Sequence, residues 1–442
     1  MQTIDTLIHA RWIIPVIPEN TVLEEHSLAI RAGRIEAILP KNEAEAKYQA
    51  NATHVLAAHA LIPGLINTHT HAAMTLMRGL ADDMPLMQWL NEHIWPTEQA
   101  LMGPDFVNDG TRLAMAEMLR GGTTCFSDMY FFPDEVAHSA SNVGMRACVG
   151  LIVIDFPTVW ASDAQEYLSR GIEVHDHYRN DPLIRTAFAP HAPYTVSDEP
   201  LRKIRVMSEE LDIPIHIHVH ETSDEIQQGI EKYGHRPIAR LAGLELLNPR
   251  LIAAHMCHVT DEEIQLFADS GAHVVHCPES NLKLASGLCQ LKSLTDAGVN
   301  VALGTDGTAS NNDLNMFGEM RTAALLAKGL SGDPRAIPAA TALGMATINA
   351  ARALGIEDET GSLTPGKAAD ITAIDLSAIE TQPVYDPISH LVYVADRQNV
   401  TDVWIAGRHL LNDRSLTSLD ENELLEKAHY WQHRIKALNT GK

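Results

Sequence analysis

The chain has 442 residues, 45% hydrophobic and 20% charged, with a formal net charge of −24 and a pI near 5.3. That length exceeds one minimal core and suits a large barrel with an accessory domain. The acidic balance excludes the basic footprint that phosphate-backbone binding requires. Cys125, Cys148, Cys257, Cys277 and Cys289 are scattered and form no CxxC pair, which excludes a thiolate zinc site or a disulfide framework and fits reduced thiols.

The first stretch, "MQTIDTLIHARWIIPVIPEN", is broken by Asp5, Arg11 and two prolines, so it lacks the continuous apolar core of a signal peptide. No run approaches the roughly 20 apolar residues of a membrane span. A soluble, cytoplasmic protein with no nucleic-acid and no membrane partner is expected. Residues 1–61 read as short strands and turns: "TLIHARWIIPV", "SLAIRAGRIEAIL" and "ATHVLAAHALIPG". The Arg-Ala-Gly-Arg segment is a hairpin signal.

From 62 to 362 the texture changes. Eight short apolar runs alternate with helix-like segments: "LIPGLINTHTH", "TTCFSDM", "RACVGLIVI", "LIRTAFAPHAPYT", "IPIHIHVHE", "RLIAAHMCHV", "AHVVHCPESN" and "VNVALGTDG". Eight strand–helix units predict an α/β fold, a (β/α)8 TIM barrel with its site at the C-terminal strand ends. No GxGxxG follows an early strand and no P-loop occurs, against a doubly wound sheet. Residues 363–442 return to strand-and-turn texture in "GSLTPGKAADITAIDL" and "VTDVWIAGRHLL". With residues 1–61 they are expected to build one small β-sandwich domain, because chain termini often lie close together. "SLDENELLEKAHYWQHRIKALN" reads as an N-capped amphipathic helix closing that segment.

Polar residues gather where these runs end. The first ends in His69 and His71, which share a strand face. The fourth ends in His191, the fifth in His218 and Glu221, the sixth in His255 and the eighth in Asp306. Singly, each has a bland reading: His69 and His71 as a structural pair, His255 as a core histidine, Asp306 as a turn residue. Their coincidence at barrel-strand ends points instead to a divalent metal, with imidazole and carboxylate favouring Zn2+ or Fe2+ over magnesium or calcium. In "HIHVHE", His216, His218 and His220 share a face, so periodicity leaves the ligand among them open.

The ordered motifs "PGLINTHTH", "HIHVHETSDE", "AAHMCHVTDEE", "HCPESNLKL" and "LGTDGTASNN" resemble the amidohydrolase superfamily, in its cytosine/adenosine-type deaminase and chlorohydrolase branch. The resemblance spans nearly the whole chain. It implies one divalent metal, Zn2+ before Fe2+, held by His69, His71, His218 and Asp306. It also implies Glu221 as proton shuttle, with His255 and Asp306 acting on the attacking water. Binuclear relatives bridge two metals through a modified lysine after strand four, and "LIRTAFAPHAPYT" has none, so one metal is implied and His191 is left for substrate.

Within the branch the chain is similar to the 5'-methylthioadenosine/S-adenosylhomocysteine deaminases. Glu98 in "NEHIWPTEQ" matches their ribose-binding glutamate, His191 their substrate-contacting histidine, and Ser310 in "GTDGTASNN" a further position near substrate. The implied activity is hydrolytic deamination of adenine nucleosides, with Glu221 and Asp306 also touching the substrate. Arginines that hold an amino-acid tail in relatives have no clear counterpart; Arg146 in "VGMRAC" lies near that region but opens a strand. Preference among methylthioadenosine, S-adenosylhomocysteine and adenosine stays open. Alternatives on the same site are deamination or hydrolysis of guanine, a pterin or an s-triazine, and, from another class, a silent metal-binding scaffold. A homo-oligomer is expected from the architecture.

Overall fold

The structure, a computed structural model, describes residues 1–440. The chain divides into two compact units. One comprises Met1–Asn67, Glu117–Cys125 and Asn315–Ser418; the other comprises Thr68–Ala116, Phe126–Leu314 and the described chain from Leu419 on. These bounds cut the chain elsewhere than the strand-and-helix texture does. Among the described residues no helix is long and apolar enough to cross a membrane.

Both chain ends contribute to one mixed sheet. From the N-terminal side come β1 (Gln2–Ile13), β2 (Leu23–Arg31), β3 (Arg34–Pro40) and β4 (Tyr48–Pro63). Eight further strands, β5 to β12, form the second sheet: Leu65–Thr70, Thr123–Asp128, Arg146–Val153, Ile184–Pro190, Ile215–Val219, Leu251–His255, His273–His276 and Asn300–Leu303. The C-terminal side returns β13 (Ile371–Asp375), β14 (Val400–Ile405), β15 (Arg408–Asn412) and β16 (Ser415–Leu416) to the first sheet. Its order is β16-β15-β14-β13-β4-β1-β2-β3. β4 pairs parallel with β1 and antiparallel with β13, and so joins the two ends of the chain.

The Arg-Ala-Gly-Arg hairpin forms, with Arg31 opposite Arg34. Ala32 and Gly33 both take positive φ (51° and 77°), the mirror-image turn whose twist matches the flanking strands. Ala406 and Gly407 repeat it between β14 and β15, at φ 46° and 74°. The two turns pack together: a Cβ on Gly407 would lie 2.9 Å from the Gly33 Cα. Beneath the sheet, Ile8, Ile13, Leu28, Leu61, Ile371 and Trp404 form a closed apolar cluster.

β5 to β12 correspond in order to the eight apolar runs and hydrogen-bond as a nearly closed parallel barrel, from β5 at one end of the sheet to β12 at the other. Residues of β5, β6 and β7 are buried throughout, as barrel strands covered on both faces must be. Their C-terminal ends gather at one rim, and there the polar residues stand.

Candidate active site

His69 is buried within β5, and His71 follows one step past its end at the start of a 3-10 turn. Asp306 leaves β12 through "GTDG". A Cβ on Gly304 would sit 2.7 Å from the His69 backbone nitrogen, so only glycine lets the last strand close on the first. The Asp306 N–H donates to the His69 carbonyl at 3.0 Å. His218 enters from β9.

The ligand-capable atoms of His69, His71, His218 and Asp306 all lie within 4.8 Å of one another. Asp306 Oδ1 is 3.2 Å from His71 Nε2 and 3.4 Å from His69 Nε2. His71 Nε2 is 3.3 Å from His218 Nε2. Each imidazole is anchored through its other nitrogen: His71 Nδ1 donates to the Met129 carbonyl at 2.5 Å, and His218 Nδ1 to the His191 carbonyl at 2.6 Å. His69 Nδ1 faces His216 Nε2 at 3.0 Å. With Nδ1 occupied, the Nε2 lone pairs turn inward, the arrangement that metal-ligating histidines adopt.

Electrostatics test the fit of a cation. His69 Nε2 is buried with no hydrogen-bond partner. Burial lowers His69 to about 4 and His218 well below the usual range, so both are neutral donors. Burial would raise the Asp306 carboxyl, but the His69 and His71 rings that face it hold it well below the ordinary range. Burial likewise opposes charge on His71, yet the bond to Asp306 raises it to about 9. The buried carboxylate thus draws a positive charge into the cluster, a proton on His71 in the bare chain. Neutral imidazoles and one carboxylate around that point fit a zinc-type ion.

The other expected residues meet at the same cavity, of about 550 Å³, which His71, Glu98, His191, His218, Glu221, His255, Asp306 and Ser310 all line. His255 stacks on His218 with ring centroids 5.4 Å apart, and its Nδ1 is held by Asn281 Oδ1 at 2.8 Å. Glu221 Oε2 lies 3.9 Å from His255 Nε2, and Ser286 Oγ donates to its Oε1 at 3.3 Å. Burial raises the Glu221 carboxyl. His191 Nδ1 meets Thr195 Oγ1 at 3.1 Å, and burial lowers its ring to about 3. Glu98 accepts from the Tyr130 hydroxyl at 2.6 Å. Ser310 Oγ donates to Asp306 Oδ2 at 2.8 Å, beside Ser280 Oγ at 2.6 Å. Arg146 lies away from the cavity; its guanidinium donates to the Pro182 carbonyl.

Several supporting residues were not foreseen: His216, Asn281, Ser280, Tyr130 and Asp128. Asp128 accepts from the Ala72 N–H at 2.6 Å and the Thr70 hydroxyl at 3.1 Å, fixing the turn that carries His71. Their sequence signal is weak, because each acts on a residue distant along the chain. His220, His255 and Asp306 also share left-handed backbone, at φ 55°, 75° and 64°. Strain of this kind in non-glycine residues collects at functional sites.

Comparison with known proteins agrees with this geometry. Residues 60–410 match the amidohydrolase family model. A 5-methylthioadenosine/S-adenosylhomocysteine deaminase of Teredinibacter turnerae is 50% identical over 435 residues, covering 98% of each chain. A crystal structure of an adenosine deaminase from Xanthomonas campestris with bound zinc is 52% identical, with a TM-score of 0.98 over 99% of each chain. The zinc-complexed atrazine chlorohydrolase of Arthrobacter aurescens shares the fold at 24% identity, with a TM-score of 0.89 over 96% of this chain and 99% of its own. Motifs, strand order and these likenesses converge: the chain belongs to the amidohydrolase family, in the branch whose members carry the name 5-methylthioadenosine/S-adenosylhomocysteine deaminase.

Proposed function

We propose that the chain hydrolytically deaminates adenine nucleosides, methylthioadenosine and S-adenosylhomocysteine being the class, with one divalent ion, zinc before iron, at His69, His71, His218 and Asp306. One observation carries the reading. Three of the four ligand-capable side chains, His71, His218 and Asp306, line a cavity with Glu221, His255, His191 and Glu98, and His69 brings its ligand-capable atom within 4.8 Å of theirs; a relative 50% identical over 98% of each chain bears that activity in its name. When bound, the ion supplies Lewis acidity that brings the pKa of a coordinated water to about 7.

The chain's own groups do the rest. Asp306, kept ionised and oriented by Ser280 and Ser310, accepts a proton from the attacking water. His255, fixed by Asn281, orients that water through its other ring nitrogen. Glu221, whose carboxyl burial raises, delivers a proton to a purine ring nitrogen, which makes the amine-bearing carbon electrophilic. The C–O bond forms, the C–N bond breaks after a second proton transfer, and water plus the amine become the inosyl product plus ammonia. This is general acid–base catalysis by two carboxyl groups set apart by their surroundings. Glu98 accepts from the ribose hydroxyls, while His191 and Ser310 bound the purine.

Incubation of the zinc-loaded protein with methylthioadenosine should shift the adenine absorbance toward hypoxanthine and release ammonia. No turnover of any adenine nucleoside sinks the reading. A free-base or s-triazine enzyme has no use for a ribose clamp, so its activity would survive Glu98→Ala. The proposal also takes the protein as cytoplasmic and homo-oligomeric; a monomer by sedimentation would remove the latter.

A further inference from the structure

Methylthioadenosine and S-adenosylhomocysteine share adenine and ribose and differ beyond the sulfur, where one carries a methyl group and the other an amino-acid zwitterion. The cavity walls treat those two ends differently. Among the described residues lining it, the carboxyl groups are Glu98, Glu221 and Asp306, and there is neither lysine nor arginine. Away from these groups the wall is apolar, from Trp89, Leu90 and Ile94 on one segment and Ile154, Phe156 and Val159 on the chain leaving β7. Phe156 and Val159 are 45% and 55% exposed and so mark the opening to solvent.

Cations on segments that adjoin lining residues in the chain or in ring contact have partners of their own. Lys283 pairs with Asp82 at 2.5 Å and donates to Asn312 Oδ1. The Arg78 guanidinium donates to the Asn312 carbonyl at 2.5 Å. Arg170 pairs with Glu166 at 2.7 Å and lies over the Trp160 ring.

We propose that this site selects adenine nucleosides whose 5' substituent is uncharged and apolar, methylthioadenosine and its longer alkylthio homologues, over those ending in an amino-acid zwitterion. The inference rests on the adenine-nucleoside reading above. With purine at the metal cluster and ribose at Glu98, the tail runs along the apolar wall toward the opening. A tail carboxylate there sheds water without gaining a cation, which disfavours it, whereas an alkyl chain loses nothing polar and buries apolar surface.

The test compares kcat/KM of the zinc-loaded protein for methylthioadenosine, butylthioadenosine and S-adenosylhomocysteine. The two alkylthio substrates should agree within about tenfold, and S-adenosylhomocysteine should fall lower by about 10- to 100-fold. Val159→Arg places a cation at the exposed rim and should move the ratio toward S-adenosylhomocysteine by roughly tenfold; Val159→Gln, of similar reach without charge, should not. S-adenosylhomocysteine within about threefold of methylthioadenosine overturns the inference and leaves the deaminase reading standing. A ratio unmoved by the arginine, or moved equally by the glutamine, overturns charge as its cause. Absence of turnover for every nucleoside instead removes the reading itself, and the inference with it.

Discussion

His216 does not line the cavity, yet its Nε2 stands 3.0 Å from His69 Nδ1 and its Nδ1 lies 3.3 Å from the Ser127 hydroxyl. Burial keeps its ring neutral, so it can accept the His69 proton and hold the His69 Nε2 lone pair toward the cluster. Replacement by leucine should therefore weaken zinc binding by about 10- to 100-fold, read by competition with a chromogenic chelator, and His216→Gln should restore part of the loss. Unchanged affinity would make His216 a packing residue. Glu98 gives a second prediction. Burial raises its carboxyl to about 7, against the Tyr130 hydrogen bond and the His71 charge, which pull it down. Below that pH the group is protonated and loses acceptor capacity; above it, both oxygens can accept from a vicinal diol. kcat/KM for nucleosides should thus rise with pH through an apparent pKa near 7. Glu98→Gln should abolish that limb and lower the plateau by about 10- to 100-fold; an acid limb that survives the change assigns it to another group. Neither partner was legible beforehand. The strand face shared by His216, His218 and His220 was visible, but not that His216, two residues before His218, ends against His69, 147 residues away.

The strands themselves were legible because a barrel strand is covered on both faces and reads as an unbroken apolar run. What a run cannot announce is the conformation just past its end, and there Glu221 is aimed. β9 stops at Val219, and His220 turns left-handed. Glu225, one turn into the following helix Ser223–Tyr233, accepts from the His220 N–H through one oxygen and the Glu221 N–H through the other, each at 2.8 Å. Thr222 caps the same helix by accepting from the Glu225 N–H. One side chain thereby satisfies both amides of the turn that presents the proposed proton shuttle. Glu225→Ala leaves two buried N–H groups without partners, at about 1–3 kcal/mol each. Thermal unfolding should move down by several degrees, and kcat should fall while KM changes little. Glu225→Gln keeps one acceptor and should lie between. If the alanine variant lost stability but kept kcat, the strap would serve the fold alone.

At the scale of the molecule, the candidate metal site and the barrel seam coincide. β5 and β12 are the end strands of the hydrogen-bonded order, and between their C-terminal ends runs the Asp306 N–H to His69 carbonyl bond. His69 and His71 stand on one side of that seam, Asp306 on the other, and His218 comes from across the barrel on β9. The segment boundaries read from texture, at 61 and 362, followed strand alternation and could not show this, because seam closure depends on pairs more than 200 residues apart. An ion shared by these side chains would tie the first strand to the last. Anything that binds only the folded chain stabilises it in proportion to its occupancy, by about 4 kcal/mol at a thousand times Kd. Stripping the protein with a chelator should lower Tm by several degrees, abolish turnover, and speed hydrogen exchange at the Asp306 amide more than at amides inside β7, whose pairing with β8 runs over seven residue pairs. Zinc should reverse all three. Uniform acceleration across the barrel would point to global loosening, and an unchanged Asp306 amide would mean that backbone pairing alone holds the seam.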